Sequence, residues 1–577
     1  MLREGVGQWF LLHLVGGGAF LWYRFGRVKP ATKPEDASGY GSAGTARFAK
    51  RDELRQYLKA DGPGLIFGKI GSKYLILPPD PLQPHNQNVT VIGGSGTRKT
   101  RSFVQPNILQ SAKHGGESLI VIDPKGENYA KSAALLQAKG YSVHLLNLLQ
   151  MDHSDRWNPL DAVTTVEEAS SLAVNLVANT VNPNRPKTGD PFWDNAEQAF
   201  ITALVLYVKR HRPRAEQHLA SVLELGTELA PEAIDDIFKQ IKDRDDPARK
   251  FYRSFRQAEE KIRSGVVAGL GSRLQLWNDQ AVASLTASSD FHIHDFGYEP
   301  TALFLVIPDS KGTFAPLLAL FWQQAFEMLY KVADEQGGRL LVPVRCRMDE
   351  IANCGYIPDY EKKKSTMRSR GISTEEIWQS LGQLKGRYPH SWSELLANAD
   401  HLLFLGTNDT ETAQYISQKL GQTTIRVQSV SNSHSEQTAS SGQSESYAAR
   451  ALMTPDEVMR LPAKEALLIP RGMYPARIIK ADFDEHELAG QIKLADHKEY
   501  KPPARTGVST TDVHVLWKGA VKSGAAEEAQ QPVKKHDATK FLDVTKKEVP
   551  DEEKPEPTDD GGADPGPDAE CNGSASS

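Results

Sequence analysis

The stretch between residues 93 and 100 has the residue types and order of a phosphate-binding loop. The apolar run Val89–Ile92 leads into a glycine-rich turn, and Lys99 and Thr100 open a stretch predicted to be helical. In the Walker A arrangement, backbone N–H groups wrap the phosphates, the lysine reaches the β and γ oxygens, and the hydroxyl ligates Mg²⁺. We therefore expect ATP and Mg²⁺ as cofactors. The predicted nucleotide contacts are Gly93, Gly94, Ser95, Gly96, Thr97, Arg98, Lys99 and Thr100.

Arg98 departs from the usual pattern of this loop, G-x-x-x-x-G-K-[ST], which has glycine immediately before the lysine. A left-handed backbone at this position would cost a non-glycine residue about 1–3 kcal/mol. The arginine side chain either crowds the phosphates or points outward and adds positive charge. For the loop taken alone, an incidental glycine-rich turn is the other interpretation.

A second, acidic motif has the form that usually accompanies such a loop. The apolar run Leu340–Val344 leads to Asp349 and Glu350, so two carboxylates follow a predicted strand. Asp349 would hold Mg²⁺ through water, and Glu350 would orient or deprotonate the attacking water. An isolated Asp-Glu pair is usually a solvated surface feature, but here it accompanies the loop. Together the motifs predict catalysis by Lys99 and Glu350, with Thr100 and Asp349 as metal ligands.

Strands and helices alternate in the way that an α/β sheet requires. Leu119–Ile122 is a continuous apolar run that ends at Asp123, and strand patterns return at 302–307 and 401–406. Between them, residues 163–287 show a helical pattern. The sequence therefore predicts a doubly wound sheet interrupted by an all-α domain.

The composition fits a large globular protein, and the N-terminus differs from the rest. Of the 577 residues, 39% are hydrophobic and 24% are charged, and the net charge of −5 excludes a wholly basic DNA-coating protein. Val6–Phe25 approaches the ~20 apolar residues of a membrane span, which predicts an N-terminal transmembrane helix. The basic residues that follow it place the bulk of the chain in the cytoplasm. A signal peptide is the alternative, but no A-x-A-like cleavage site follows.

Two polar segments are predicted to lack regular structure. Gln428–Ser446 is rich in serine and is interpreted as an exposed loop, and the chain beyond about Lys518 is interpreted as disordered. The predicted organisation is a membrane anchor over 1–35, a nucleotide-binding domain over 36–162 and 288–500, an all-α inserted domain over 163–287, and a disordered acidic tail over 501–577.

Further motifs extend over most of the chain, from about Tyr40 to Tyr500. The most specific run begins with Asp349-Glu350-Ile351-Ala352-Asn353-Cys354-Gly355-Tyr356 and continues to Ile372. Together these motifs resemble those of the TraG-type coupling proteins of type IV secretion and conjugation. The other matching segments are Tyr40–Ala43, Asp123–Glu127, Arg156–Leu160, Asp190–Trp193, Gln379–Leu384, Leu405–Asp409 and Arg450–Glu457.

The resemblance implies a RecA-like motor domain with an inserted all-α domain, assembled as a homo-hexameric ring beneath the cell membrane. It implies that Gln379 senses the γ-phosphate and that Arg368 is an arginine finger offered to the neighbouring subunit, with Arg370 as the next candidate. Alternatively, both arginines belong to a basic loop that contacts DNA phosphates. The implied partners are single-stranded DNA with its attached relaxase, the components of the secretion channel and the cell membrane.

Charged residues interrupt two strands that should be buried. Arg345 and Arg347 lie in the strand before the acidic motif, and Glu375 and Glu376 lie in the strand before Gln379. Two acidic residues in a central strand would cost several kcal/mol unless they are paired. We therefore predict that Arg345 or Arg347 pairs with Glu375 or Glu376 on the adjacent strand.

The sequence leaves three functions open. The first is a membrane-anchored ATPase that recruits DNA with its relaxase, or a protein substrate, and drives it toward a secretion channel. The second is a receptor that docks substrates without turnover, which Arg98 favours. The third is a DNA translocase for chromosome segregation, which the all-α insertion and the Asp349–Ile372 run disfavour.

Overall fold

The structure is a computed structural model that describes residues 35–37, 39, 41–79, 85–180, 191–308, 312–435 and 438–504. The membrane anchor predicted over 1–35 and the tail predicted over 501–577 lie outside these ranges, apart from Glu35 and residues 501–504. Within the described ranges, no helix is long and apolar enough to cross a membrane.

Fourteen strands occur in the described part of the chain, and they form one eleven-stranded and one three-stranded sheet. In chain order they are β1 (Glu35–Asp36), β2 (Leu65–Ile70), β3 (Lys73–Leu77), β4 (Val89–Gly93), β5 (Ser118–Asp123), β6 (Ser142–Asn147), β7 (Thr301–Val306), β8 (Val344–Met348), β9 (Ile372–Trp378), β10 (His401–Gly406), β11 (Gln422–Ser435), β12 (Thr438–Ala451), β13 (Glu465–Pro470) and β14 (Ala476–Ile479).

The large sheet has a parallel core and an antiparallel extension on one side. Its strand order is β3-β2-β14-β13-β10-β4-β9-β8-β5-β7-β6. All neighbours from β10 to β6 pair in parallel, whereas β13, β14, β2 and β3 pair antiparallel. Every residue of β5 and β7 is buried, which explains their continuous apolar runs. The parallel core confirms the predicted α/β class and sets β9 between the two motif strands, β4 and β8.

Sixteen α-helices occur in the described part of the chain. In chain order they are α1 (Arg51–Tyr57), α2 (Gln105–His114), α3 (Glu127–Ala138), α4 (Val166–Thr180), α5 (Pro191–His211), α6 (Leu219–Thr227), α7 (Pro231–Lys239), α8 (Pro247–Arg256), α9 (Glu260–Arg273), α10 (Gln280–Leu285), α11 (Ala315–Glu335), α12 (Tyr360–Arg370), α13 (Leu381–Arg387), α14 (Trp392–Ala397), α15 (Thr410–Leu420) and α16 (Pro455–Met459).

Helices α4 to α10 lie between β6 and β7 in the chain, and the described residues of 163–287 contain no strand. A capping box begins α4, because Thr165 Oγ1 accepts the N–H of Glu168 and the Glu168 carboxylate accepts the N–H of Thr165. Within the insertion, Phe200 of α5 stacks on Phe255 of α8 with ring centroids 4.3 Å apart. The apolar core around Phe200 is continuous with one face of the sheet, where Leu305 joins it. The insertion therefore packs onto the sheet through a shared core.

The prediction of an exposed loop over Gln428–Ser446 is wrong. Strands β11 and β12 form an antiparallel hairpin that runs from the pair Gln422–Ala451 to the pair Ser435–Thr438, and β1 adds a short third strand. The backbone groups of a hairpin satisfy each other across the two strands. Serine-rich strands can therefore pair without the alternating apolar residues that would have indicated them.

Candidate nucleotide-binding site

The glycine-rich loop closes tightly at the carboxyl end of β4. Thr97 Oγ1 donates to the carbonyl of Gly94 at 2.7 Å, and the N–H of Gly94 donates to the carbonyl of Gly406, at the end of β10, at 2.9 Å. A Cβ on Gly93 would lie only 2.7 Å from Thr97 Oγ1. The loop leads through a π-helical turn, Thr100–Val104, into α2. This arrangement of a tight loop before a helix is the one that binds phosphate.

Arg98 has a left-handed backbone at the position where the pattern expects glycine. Its φ is 67°, a conformation that costs a non-glycine residue about 1–3 kcal/mol. Its side chain is 58% exposed, and Nη1 lies 3.5 Å from Asp482 Oδ2. The guanidinium therefore faces Asp482 and solvent, which is the outward of the two alternatives posed by the sequence.

The predicted cation-binding groups meet across the sheet. Thr100 Oγ1 donates a 2.7 Å hydrogen bond to Asp349 Oδ2, although β9 separates their strands. The other oxygen, Asp349 Oδ1, is buried and has no hydrogen-bond partner among the described residues. Burial raises the pKa of this carboxyl to about 6. Hydroxyl and carboxylate oxygens are the ligands that Mg²⁺ prefers, and a cation would satisfy the unpaired oxygen, so these residues fit the predicted metal.

The loop lysine and the second carboxylate lie at the same edge of the sheet. Lys99 Nζ donates to the carbonyl of Gly94 at 3.3 Å. Glu350 is held by two amides, because Gln379 Nε2 donates to Oε1 and Asn353 Nδ2 donates to Oε2, each at 3.3 Å. Glu350 also has a left-handed backbone, with φ of 56°, so its surroundings must fix this strained position. The structure thus brings together Lys99, Thr100, Asp349, Glu350 and Gln379.

Within one chain, Arg368 lies apart from these five residues. It lies on α12, just before β9 begins, whereas Gln379 directly follows the end of β9. Seven residues of strand span about 20 Å, so the two residues lie at opposite edges of the sheet. Arg368 lines a cavity of about 520 Å³ together with Arg339. The nearby Arg370 donates to Asp334 at 3.3 Å.

Three residues that the site predictions omitted also lie close to the site. Lys480 Nζ donates to the carbonyl of Thr97 in the loop at 3.0 Å, and no local motif marks this lysine. Asp482 contacts Arg98, as described above. Asp123 ends β5, the neighbour of β8, and burial raises its pKa to about 7. Its position at the end of an apolar strand was the available sequence signal.

The charged residues of the central strands are paired, as predicted, but with partners on more than one element. Arg345 Nη1 lies 3.4 Å from one oxygen of Glu375, and Arg347 Nε lies 3.0 Å from the other. Glu376 pairs instead with Lys364 of α12, at 2.8 Å. Pairing of the arginines with Glu375 is therefore confirmed, whereas Glu376 takes its partner from a helix.

Comparison with known proteins identifies relatives of the chain. The family model for type IV secretory system conjugative DNA transfer matches residues 50–502. The chain is 26% identical over 459 residues to protein VirD4 of Rhizobium radiobacter, and the match covers 76% of this chain and 64% of VirD4. It is 27% identical over 404 residues to a probable conjugal transfer protein TraG of Sinorhizobium fredii, covering 68% of this chain and 61% of TraG. The chain thus matches less than two-thirds of the length of these relatives.

The fold is similar to solved structures of the conjugative coupling protein TrwB. The TrwB complex with the ATP analogue ADPNP has a TM-score of 0.56 at 15% identity, covering 76% of this chain and 93% of TrwB. The complex with ADP and Mg²⁺ has a TM-score of 0.55, covering 76% and 94%. The similarity shows the shared fold and confirms the predicted RecA-like α/β sheet.

Proposed function

Because the chain belongs to the type IV secretory system conjugative DNA transfer family, we propose that it is a coupling protein that hydrolyses ATP to drive DNA toward a secretion channel. The observation that carries this proposal is the contact between Thr100 and Asp349, whose second oxygen is buried and unpaired. It lies beside Glu350 and Gln379, which supply the groups for water activation. The nucleotide complexes of TrwB support the same ligands, ATP and Mg²⁺.

Each residue has a role that its contacts support. Lys99 and the loop backbone would bind the β and γ phosphates, and Thr100 and Asp349 would hold Mg²⁺. When bound, the cation neutralises charge on the phosphates. Glu350 accepts the proton of the attacking water, and the amides of Gln379 and Asn353 fix the orientation of its carboxylate. A base held in one orientation loses less entropy when it reaches the reactive geometry.

The position of Arg368 supports a role in a neighbouring subunit. It lies at the sheet edge opposite Lys99 and therefore cannot complete the site of its own chain. In a homo-hexameric ring, this edge of one subunit can face the phosphates of the next, where an arginine stabilises transition-state charge. The proposal includes such a ring.

The expected setting follows from the family and from the N-terminal residues. We place the ring at the cytoplasmic face of the cell membrane, anchored through the segment before residue 36. Its substrates would be single-stranded DNA with an attached relaxase, delivered to the channel components. The helical insertion, α4 to α10, would contribute to substrate recognition.

Arg98 favours a second candidate function, a receptor that docks substrates without turnover. Its left-handed backbone, φ of 67°, places strain in the loop that must hold the phosphates. A loop weakened in this way would bind nucleotide without aligning it for hydrolysis. Measurement of binding and turnover on the same protein separates the two functions.

The test compares the full chain in detergent with Lys99→Ala and Glu350→Gln, with and without single-stranded DNA. We expect DNA-stimulated hydrolysis by the parent. Lys99→Ala should lose binding of a fluorescent ATP analogue. Glu350→Gln should retain binding within about threefold and lose about 10²- to 10⁴-fold in kcat, the range for a lost general base.

Lys362→Ala provides the control, because this lysine has a side chain that is 75% exposed and pairs with Asp359 rather than with a residue of the site. The receptor function is supported instead if the parent binds the analogue but does not hydrolyse ATP. Hydrolysis that survives Glu350→Gln would contradict the assigned role of Glu350.

A further inference from the structure

The segment that follows β14 contacts the phosphate loop from outside the nucleotide-binding motifs. We propose that Lys480 and Asp482 are positioning residues for this loop, and that together they accommodate an arginine where such loops carry glycine. Lys480 fixes one peptide group of the loop, and Asp482 holds the side chain of Arg98. The inference rests on the nucleotide-binding role proposed above.

Lys480 ties the loop to the end of a neighbouring strand. Its Nζ donates to the carbonyl of Thr97 at 3.0 Å and to the carbonyl of Leu405, in β10, at 2.7 Å. Its own N–H donates to the carbonyl of Lys464 at 2.8 Å, which fixes the lysine beside β13. The residue is only 8% exposed. One buried ammonium group therefore joins the loop, β10 and the antiparallel extension of the sheet.

The bond to Thr97 controls the peptide group between Thr97 and Arg98. The carbonyl and the N–H of a trans peptide point in opposite directions. When Lys480 holds the carbonyl of Thr97, the N–H of Arg98 is directed to the other side of the chain. A phosphate-binding loop functions by directing successive N–H groups toward the anion, so this contact orients one of them.

Asp482 restrains the residue that replaces glycine. Its Oδ2 lies 3.5 Å from Arg98 Nη1, and its Oδ1 lies 2.9 Å from Arg101 Nη2. Arg101 also pairs with Asp484. The two acidic residues thus bind arginines at the end of the loop and in the following helical turn. This contact directs the Arg98 guanidinium toward the segment after β14 and tethers a residue whose backbone is strained.

The charges of this group are consistent with such a role. Burial, and then the nearby charge of Arg98, lower the pKa of Lys480 to about 8. Asp482 and Asp484 offset the positive charges of Arg98 and Arg101. Without Asp482 the guanidinium of Arg98 would be free to leave this position, and the left-handed loop residue would lose its tether.

The test measures the affinity of the full chain for a fluorescent ATP analogue with Mg²⁺, together with KM and kcat. Lys480→Met removes hydrogen bonds from a charged donor and should weaken affinity about 10- to 100-fold. At saturating nucleotide its kcat should stay within about threefold, because Lys480 touches none of the catalytic groups. Lys464→Met, an exposed lysine in the adjoining loop, is the matched control and should leave affinity unchanged.

A double-mutant cycle tests Asp482 separately. Asp482→Asn should weaken affinity about three- to tenfold in the parent but less than twofold in Arg98→Gly, because glycine adopts the left-handed backbone without a tether. Equal effects in both backgrounds, or a gain of affinity in the parent, would overturn the role of Asp482. Unchanged affinity of Lys480→Met would overturn the role of Lys480.

Thermal unfolding without nucleotide identifies any variant that fails to fold. If Lys480→Met does not fold, the double-mutant cycle on the partly exposed Asp482 still tests the inference. Failure of the inference alone is recognised when the parent binds the analogue, Lys99→Ala does not, and the Lys480 and Asp482 variants behave like the parent. A parent that binds no nucleotide would overturn both this inference and the proposed function.

Discussion

Four charged residues link β8, β9 and the residue before β5, and their removal one at a time should be more costly than their removal in pairs. Arg345, Arg347 and Glu375 have side chains that are at most 5% exposed, and the side chain of Glu117 is 17% exposed. Arg345 contacts Glu117 at 3.0 Å and Glu375 at 3.4 Å, and Arg347 contacts Glu375 at 3.0 Å and Glu117 at 4.0 Å. Burial would raise the pKa of Glu117, but the two arginines outweigh it and lower the pKa. Burial raises the pKa of Glu375 although both arginines oppose it. With both carboxylates ionised, the group holds two positive and two negative charges and has no net charge.

The expected magnitudes follow from this balance. Arg347→Met leaves one positive and two negative charges, and Glu375→Gln leaves two positive and one negative. Each single variant buries an uncompensated charge, which costs about 3–5 kcal/mol of the free energy of unfolding. The double variant leaves the pair Arg345–Glu117, at 3.0 Å, with no net charge. It should lose less than either single variant, about 1–3 kcal/mol for the imperfectly bonded glutamine.

Exchange of the two charges is not an equivalent test, because each arginine faces both glutamates. Arg347→Glu would place a carboxylate against Glu117, and Glu375→Arg would place a second guanidinium against Arg345. The exchanged pair would therefore keep two repulsive contacts. Neutralisation of one pair avoids this complication, since it removes one charge of each sign.

The assay is urea unfolding followed by tryptophan fluorescence, since Trp378 at the end of β9 is fully buried. Arg477→Met and Glu465→Gln are the controls, because this pair links β13 and β14 with side chains that are 45% and 28% exposed. The control variants should each lose less than about 1 kcal/mol. If the double variant of Arg347→Met and Glu375→Gln loses as much free energy of unfolding as the two single variants added together, the four charges do not act as one group.

Two further predictions concern a buried histidine and the arginine of α12. Burial lowers the pKa of His401, which contacts Tyr57, from 6.5 to about 3. The folded chain thus binds fewer protons than the unfolded chain between these values, and stability falls as the pH drops. The unfolding free energy of the parent relative to His401→Phe should decrease by about 1.4 kcal/mol between pH 7.5 and 5.5, and a constant difference would contradict the assignment. Arg368→Ala and Lys99→Ala should each lack ATP hydrolysis, yet a mixture of the two proteins should regain part of it, because each supplies what the other lacks. A mixture as inactive as its components would exclude a finger acting between subunits, and a mixture of Lys362→Ala with Lys99→Ala controls for dilution of inactive subunits.

The parts of the fold that were predictable from sequence are those with local apolar patterns. The run Leu119–Ile122 is continuously apolar and buried on both faces, so it indicated a parallel strand. The apolar run Leu340–Val344 located the strand before Asp349 less well, because that strand is Val344–Met348 and shares only Val344 with the run. The helical insertion was indicated by the helical pattern of residues 163–287. The hairpin of β11 and β12 was not, since its strands pair with each other and carry many serines.

The candidate site was predictable where neighbours in sequence are also neighbours in space. Lys99 and Thr100 follow one strand, and Asp349 and Glu350 follow another. Parallel strands bring their carboxyl ends to one edge of the sheet, so both motifs had to meet there. The partner of Glu376 was not predictable, because Lys364 approaches from α12 rather than from an adjacent strand.

The remaining contacts of the site explain why a departure from a motif is informative. Lys480 binds the main-chain carbonyls of Thr97 and Leu405. Every residue has a main-chain carbonyl, so the residue types at these two positions do not indicate the contact in the sequence. Arg98 is different, because it adds a strained backbone and a positive charge that the usual glycine would not. A side chain of opposite charge, Asp482, lies beside it. An unexpected residue in a motif therefore marks where a distant part of the chain must contact the site.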